Sequence, residues 1–177
     1  SCLRGQVTSN VRRHMNDREV RVILPKPDYT LFNATRDGLP EVLVVNGSLI
    51  DFPYKDVFPW YLRVWIDAKE LIENGMPAPR ESELLFEIGD EIEEAVLGGR
   101  TEHGGENALF LARGTWNALR ELRYQVHNPE IAHNALQKLL TKKEWQRPWE
   151  YEMKPQLDWE NAGFLFQLFP QAARGDA

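Results

Sequence analysis

Four histidines, His14, His103, His127 and His133, and a single cysteine, Cys2, are the side chains best suited to hold a metal or act as a nucleophile. One cysteine rules out an intrachain disulfide and a cysteine-based metal cluster. His127 and His133 are spaced so that they do not share a helical face. Glu102, His103 and Glu106 form the densest set of cation donors, but they fall in a glycine-rich stretch that reads as a solvated loop. Cys2, beside the start of the chain, has no evident neighbours to lower its thiol pKa. No Gly-x-Ser-x-Gly elbow, phosphate-binding glycine loop or His-Glu-x-x-His pair occurs. Gly98-Gly99 follows a helical pattern and does not open one, so it lacks the geometry of a phosphate cradle. No catalytic, metal or cofactor residues are expected. An enzyme or hydrolase using His103 or His133 with a carboxylate stands as the alternative.

Carboxylates are more abundant. Between Pro79 and Leu97, Leu84, Leu85, Ile88, Ile92 and Val96 form an apolar stripe at helical spacing. Glu81, Glu83, Glu87, Asp90, Glu91, Glu93 and Glu94 fill most of the remainder. General acid–base catalysis needs carboxylates in a cleft with separated pKa values, whereas these are expected on a solvated face. That face, through Glu83, Glu87, Asp90, Glu91 and Glu94, suits docking of a basic protein partner. A second surface is expected where Arg63, Trp65, Glu121, Arg123 and Gln125 line the side of a sheet away from its helices. Charges there should pair across strands, and Arg and Trp are common at protein interfaces. Such a face could also stack single-stranded RNA. The glycine and paired-aromatic signature of RNA readers is absent, however, and the net charge of −6 disfavours nucleic acid.

The elements that must position these residues follow from periodicity and turns. Val20 to Leu24 reads as a short strand stopped by Pro25 and Pro27. Asp37-Gly38 marks a tight hairpin between Tyr29–Phe32 and Glu41–Val45. Residues 58–68 alternate as a strand, and the acidic helix ends at Gly98-Gly99. Residues 107–113 and 118–126 read as a strand pair joined by a turn at Gly114–Asn117. Asn128-Pro129 opens a second helix, with Ile131, Ala132, Ala135, Leu136, Leu139 and Leu140 inward. Trp149–Met153 is a last strand, and Asp158–Phe169 a short helix or apolar tail.

The order from 58 to 153 is β-α-β-β-α-β. The expected class is therefore α+β, with a ferredoxin-like βαββαβ core. Two helices lie on one face of an antiparallel sheet, and an N-terminal β-hairpin extends it. At 177 residues the chain is of single-domain size, read as a polar arm (1–19), one domain (20–170) and a tail (171–177). No apolar run approaches a membrane span. Cytoplasmic location is the primary expectation. A periplasmic lipoprotein anchored at Cys2 is the alternative, because a small residue before Cys is how a bacterial lipoprotein signal ends.

Several segments together resemble a known family. Asp28–Phe32 leads to Asp37–Val42, then to Phe58–Val64, the helix ending at Gly98-Gly99, Thr115 with Arg120–Tyr124, and Asp158-Trp159 before Phe164–Phe166. This pattern, over roughly residues 28–170, resembles the bacterial domain of unknown function 695, which is related in fold to ribonuclease E inhibitor B. The resemblance implies a ferredoxin-like fold and carries no catalytic residues. Ala118 stands where that family usually has glycine, and its final acidic-Trp motif is compressed here to Asp158-Trp159. The combined expectation is a non-enzymatic, acidic protein-binding module that regulates or neutralises a partner, as an inhibitor or immunity protein does. A structural domain that self-associates, for instance as a homodimer, is a further alternative.

Overall fold

The computed structural model describes residues 12–15 and 18–170, with side chains from Val22 onward. The alternative of an anchor at Cys2, residues 1–11 and 16–17 of the expected arm, and the 171–177 tail lie outside the described residues. Within the arm the backbone forms a two-stranded ladder, β1 (Arg12–Met15) with β2 (Arg18–Arg21). The strand expected at Val20–Leu24 therefore ends earlier, ahead of the prolines that cannot donate to a ladder.

Two tight turns organise the main sheet. Asp37 and Gly38 both take positive φ, 51° and 76°, the geometry of a two-residue hairpin. They join β3 (Tyr29–Arg36) to β4 (Leu39–Asn46) in uninterrupted register from Tyr29↔Asn46 to Arg36↔Leu39. The second turn is Asn117-Ala118, with φ of 41° and 64°, between β6 (Ala108–Trp116) and β7 (Leu119–Val126). It lies further along than the turn expected to begin at Gly114. Gly114 is a strand residue opposite Leu43 and Glu121. A Cβ there would stand 3.1 Å from Leu43 Cδ2, so the glycine serves close strand packing.

With β5 (Trp60–Asp67) and β8 (Trp149–Pro155), the sheet has six strands in the order β3-β4-β6-β7-β5-β8. Every neighbouring pair is antiparallel. The expected hairpin extension is thus continuous with the sheet through the β4–β6 ladder. The architecture is α+β.

The helices α1 (Pro79–Leu97) and α2 (Pro129–Leu140) cover one face. Leu85, Ile88, Ile92, Val96, Leu136 and Leu139 pack there against Leu62, Val64, Ile66, Leu122, Tyr124 and Val126. α2 starts where expected: Asn128 accepts from the Glu130 amide at 2.9 Å, and Pro129 takes the first helical position. Asn107 and Asn128 exchange two 3.0 Å hydrogen bonds that tie the start of β6 to this helix. Among the described residues no helix is long and apolar enough to cross a membrane.

The opposite face carries a second core. The chain from 47 to 58 and the short helix α3 (Glu160–Phe166) close over Leu43, Val45, Leu111 and Tyr61, contributing Phe52, Phe58, Trp159, Leu165 and Phe166. Trp159 takes a left-handed φ of 53°. Its indole N–H donates to the carbonyls of Lys55 and Phe58 at 2.9 and 2.8 Å. The ring stacks on Phe52 with centroids 5.9 Å apart. This face is therefore open only in part. Gln125, expected on the open side, is fully enclosed and donates to the Phe58 carbonyl.

Candidate functional site

On α1, Glu83, Glu87, Asp90 and Glu94 are exposed. Their spacing of four, three and four residues aligns them along one side of the helix, over about 16 Å at 1.5 Å per residue. Among the described residues, no cation forms an ion pair with any of the four. Glu91 differs from the expectation. It is half-buried and held at 2.6 Å by Lys143 from beyond α2, so it braces the helix pair.

Two further acids depart from the solvated face on which they were expected. Glu81 is 1% exposed. Its carboxylate receives Arg147 Nε at 2.7 Å, Arg147 Nη2 at 2.6 Å and the Lys69 amide at 2.7 Å. The Arg147 hydrogen bonds lead in holding its pKa below the usual carboxylate value, against the opposing effect of burial. Glu93 is half-buried, and burial followed by the nearby charge of Asp90 raises its pKa.

The second expected surface assembles as a charge network on the uncovered half of the sheet. Arg63 on β5 clasps Glu121 on β7 through Nε–Oε2 and Nη2–Oε1, both 3.1 Å. Arg123 adds an Nη2–Oε2 bond of 2.8 Å. Glu152 on β8 lies 3.8 Å from Arg63, whose guanidinium sits 4.8 Å over the Trp65 ring. Burial alone would raise the Glu121 pKa. The Arg63 hydrogen bonds and the Arg123 charge overcome it and bring the value from 4.5 to about 2. A hollow of about 370 Å³ opens above this network, edged by Tyr61, Asn161 and the largely exposed Phe164. Arg63, Trp65, Glu121 and Arg123 are thus brought together. They do not join the α1 carboxylates, because the two groups lie on opposite sides of the sheet.

Among the described residues, His103, His127 and His133 do not converge with buried acids. His103 is exposed on its loop, where Glu106 pairs with Arg100 at 3.1 Å. His127 is buried with Nδ1 2.6 Å from the Val57 carbonyl. His133 Nδ1 lies 2.9 Å from the Tyr151 hydroxyl, in a surface hollow beside Glu130. Among the described residues, no three His, Cys, Asp or Glu side chains are grouped to hold a metal ion. Arg120, which the sequence places between the turn and Glu121 with no site role of its own, faces the helices and is buried at 3% exposure. No family model, curated protein or solved structure matches the chain.

Proposed function

We propose that the protein is a non-enzymatic binding module that docks onto a basic partner protein and regulates or neutralises it, in the manner of an inhibitor or immunity protein. The carrying observation is the row of four exposed carboxylates on α1, Glu83, Glu87, Asp90 and Glu94, without ion-pair partners among the described residues. Carboxylates already neutralised within a fold gain little from a partner. Unpaired ones on a rigid helix keep their charge available and steer a basic surface toward them. The helix is held firmly by the Leu85–Val96 stripe and by the Glu81–Arg147 pair at its first turn, so the row is ordered before binding, which lowers the cost of association.

The order β6-β7-β5-β8, with α1 and α2 on one face, supports reading residues 60–155 as a ferredoxin-like βαββαβ unit lengthened by the β3–β4 hairpin. That reading agrees with the proposed kinship to domain of unknown function 695.

The test is affinity capture from lysate of the source cells, comparing the natural chain with a quadruple variant, Glu83→Gln, Glu87→Gln, Asp90→Asn and Glu94→Gln. The expected result is a basic protein retained by the natural chain, released by raised salt and not retained by the variant. These exposed substitutions should leave stability within about 0.5 kcal/mol. Identical retention by both proteins overturns the proposal.

A further inference from the structure

The α1–α2 layer stops short of one sheet edge. β3 and β4 extend beyond α1, leaving Leu31 60% and Phe86 41% exposed. Between them lies a cavity of about 270 Å³, with Val42, Val44 and Met76 among its apolar walls. Its polar side is made by Arg113, Thr115 and Arg120. In the β6–β7 ladder Arg113 pairs with Leu122, and Thr115 with Arg120, so all three point to the helix side. Both guanidinium carbons stand over the Phe86 ring, at 4.7 Å for Arg113 and 4.5 Å for Arg120.

Arg120 is unusual in what it lacks. It is 3% exposed, its Nε donates to Thr115 Oγ1 at 2.8 Å, and among the described residues its enclosed Nη1 has no hydrogen-bond partner. Among the described residues neither Arg120 nor Arg113 forms an ion pair. Burial, and then the like charge of Arg113, lower the Arg120 pKa to about 10, which leaves it protonated at neutral pH. The acid that feels Arg113 is Glu93, beside Asp90, but it makes no ion pair with it. Buried guanidinium groups are normally matched by carboxylates. This one has no carboxylate among the described residues, and its side chain borders the cavity.

We infer that the cavity binds a small organic acid, its carboxylate against Arg120 and Arg113 and its short apolar body against Leu31, Val42, Val44 and Met76. A planar carboxylate suits the fork of a guanidinium, and the apolar walls require more than a bare anion. The volume falls below the roughly 300–1,000 Å³ of drug-sized sites, which restricts the ligand to a short acyl chain or one aromatic ring. The inference does not rest on the partner-binding reading.

The experiment titrates octanoate, octanol and inorganic phosphate into the full chain, following the arginine Nε–Hε resonances by NMR and the melting temperature. Octanoate should shift the Arg113 and Arg120 signals and raise the melting temperature, while octanol and phosphate do neither. Arg120→Met, which replaces the unpaired charge by an apolar side chain of similar length, should still fold and bind octanoate roughly ten- to a hundred-fold more weakly. Unmoved arginine signals in the natural chain overturn the inference, whatever the variant does. So does a response to phosphate equal to that of octanoate, or undiminished octanoate binding by Arg120→Met.

Discussion

Glu121→Gln offers the sharpest measure of what the Arg63–Glu121–Arg123 network contributes. Glu121 is 5% exposed and accepts from both arginines. Its pKa in the fold is about 2, against an ordinary 4.5. A depressed folded pKa means that the unfolded chain takes up the proton first as pH falls. The stabilisation is therefore complete above about pH 4.5, declines below it and is gone near pH 2. At 1.36 kcal/mol per pH unit, the difference corresponds to roughly 3 kcal/mol, an order-of-magnitude figure. Other carboxylates titrate in the same window, so the informative quantity is the difference between natural chain and variant. Urea unfolding followed by circular dichroism at about pH 6, 4 and 2.5 supplies it. The variant should be less stable by roughly 3 kcal/mol at pH 6, and the gap should close toward pH 2.5. A constant gap across that range would mean that Glu121 acts only through shape and neutral hydrogen bonds, refuting the electrostatic argument.

Two other substitutions test local structure. Ala118 occupies a left-handed φ of 64° that costs a residue bearing Cβ about 1–2 kcal/mol. Ala118→Gly should accordingly raise the urea midpoint, with a net gain of about 1 kcal/mol after the greater freedom of glycine in the unfolded chain is deducted. Asn46, 4% exposed, accepts from the amides of Asp28 and Ser48 and donates to the Phe110 carbonyl at 3.0 Å. Asn46→Ala should lower stability by about 2–3 kcal/mol by leaving buried backbone groups unpaired, and faster hydrogen exchange at Asp28 should accompany it.

Most of the element order was legible because the two periodicities are strong. The β5 alternation of Leu62, Val64 and Ile66, and the α1 stripe, point to burial without ambiguity. The turn before β7 was misread because Gly114 looks like a breaker, whereas its role is to let Leu43 approach across the ladder. The second core was harder to foresee. α3 has seven residues, too few for a periodic pattern. The lid from 47 to 58 is built of short 3₁₀ turns, whose side chains follow neither the helical nor the strand period. What holds this layer, Trp159 reaching the Lys55 and Phe58 carbonyls, links positions about a hundred residues apart, and local sequence carries no sign of it.

The charged residues divide along the same line between phase and partner. Glu81 precedes Leu85, Ile88, Ile92 and Val96 at helical spacing, and Arg120 precedes Leu122, Tyr124 and Val126 at strand spacing. Both therefore stand in phase with the core, and their burial was available from sequence although abundance drew attention to the acids on the other side. What phase cannot supply is the partner. Glu81 finds Arg147, 66 residues onward, and becomes part of the scaffold that orders the α1 carboxylates. Arg120 has an equally enclosed position but, among the described residues, only Thr115 for a neighbour to bond. A charge in core phase that the fold satisfies is architecture. One left unsatisfied beside an apolar cavity raises the energy of the empty state, and a ligand carrying the missing carboxylate removes that excess, which is the physical reason to look for the ligand there.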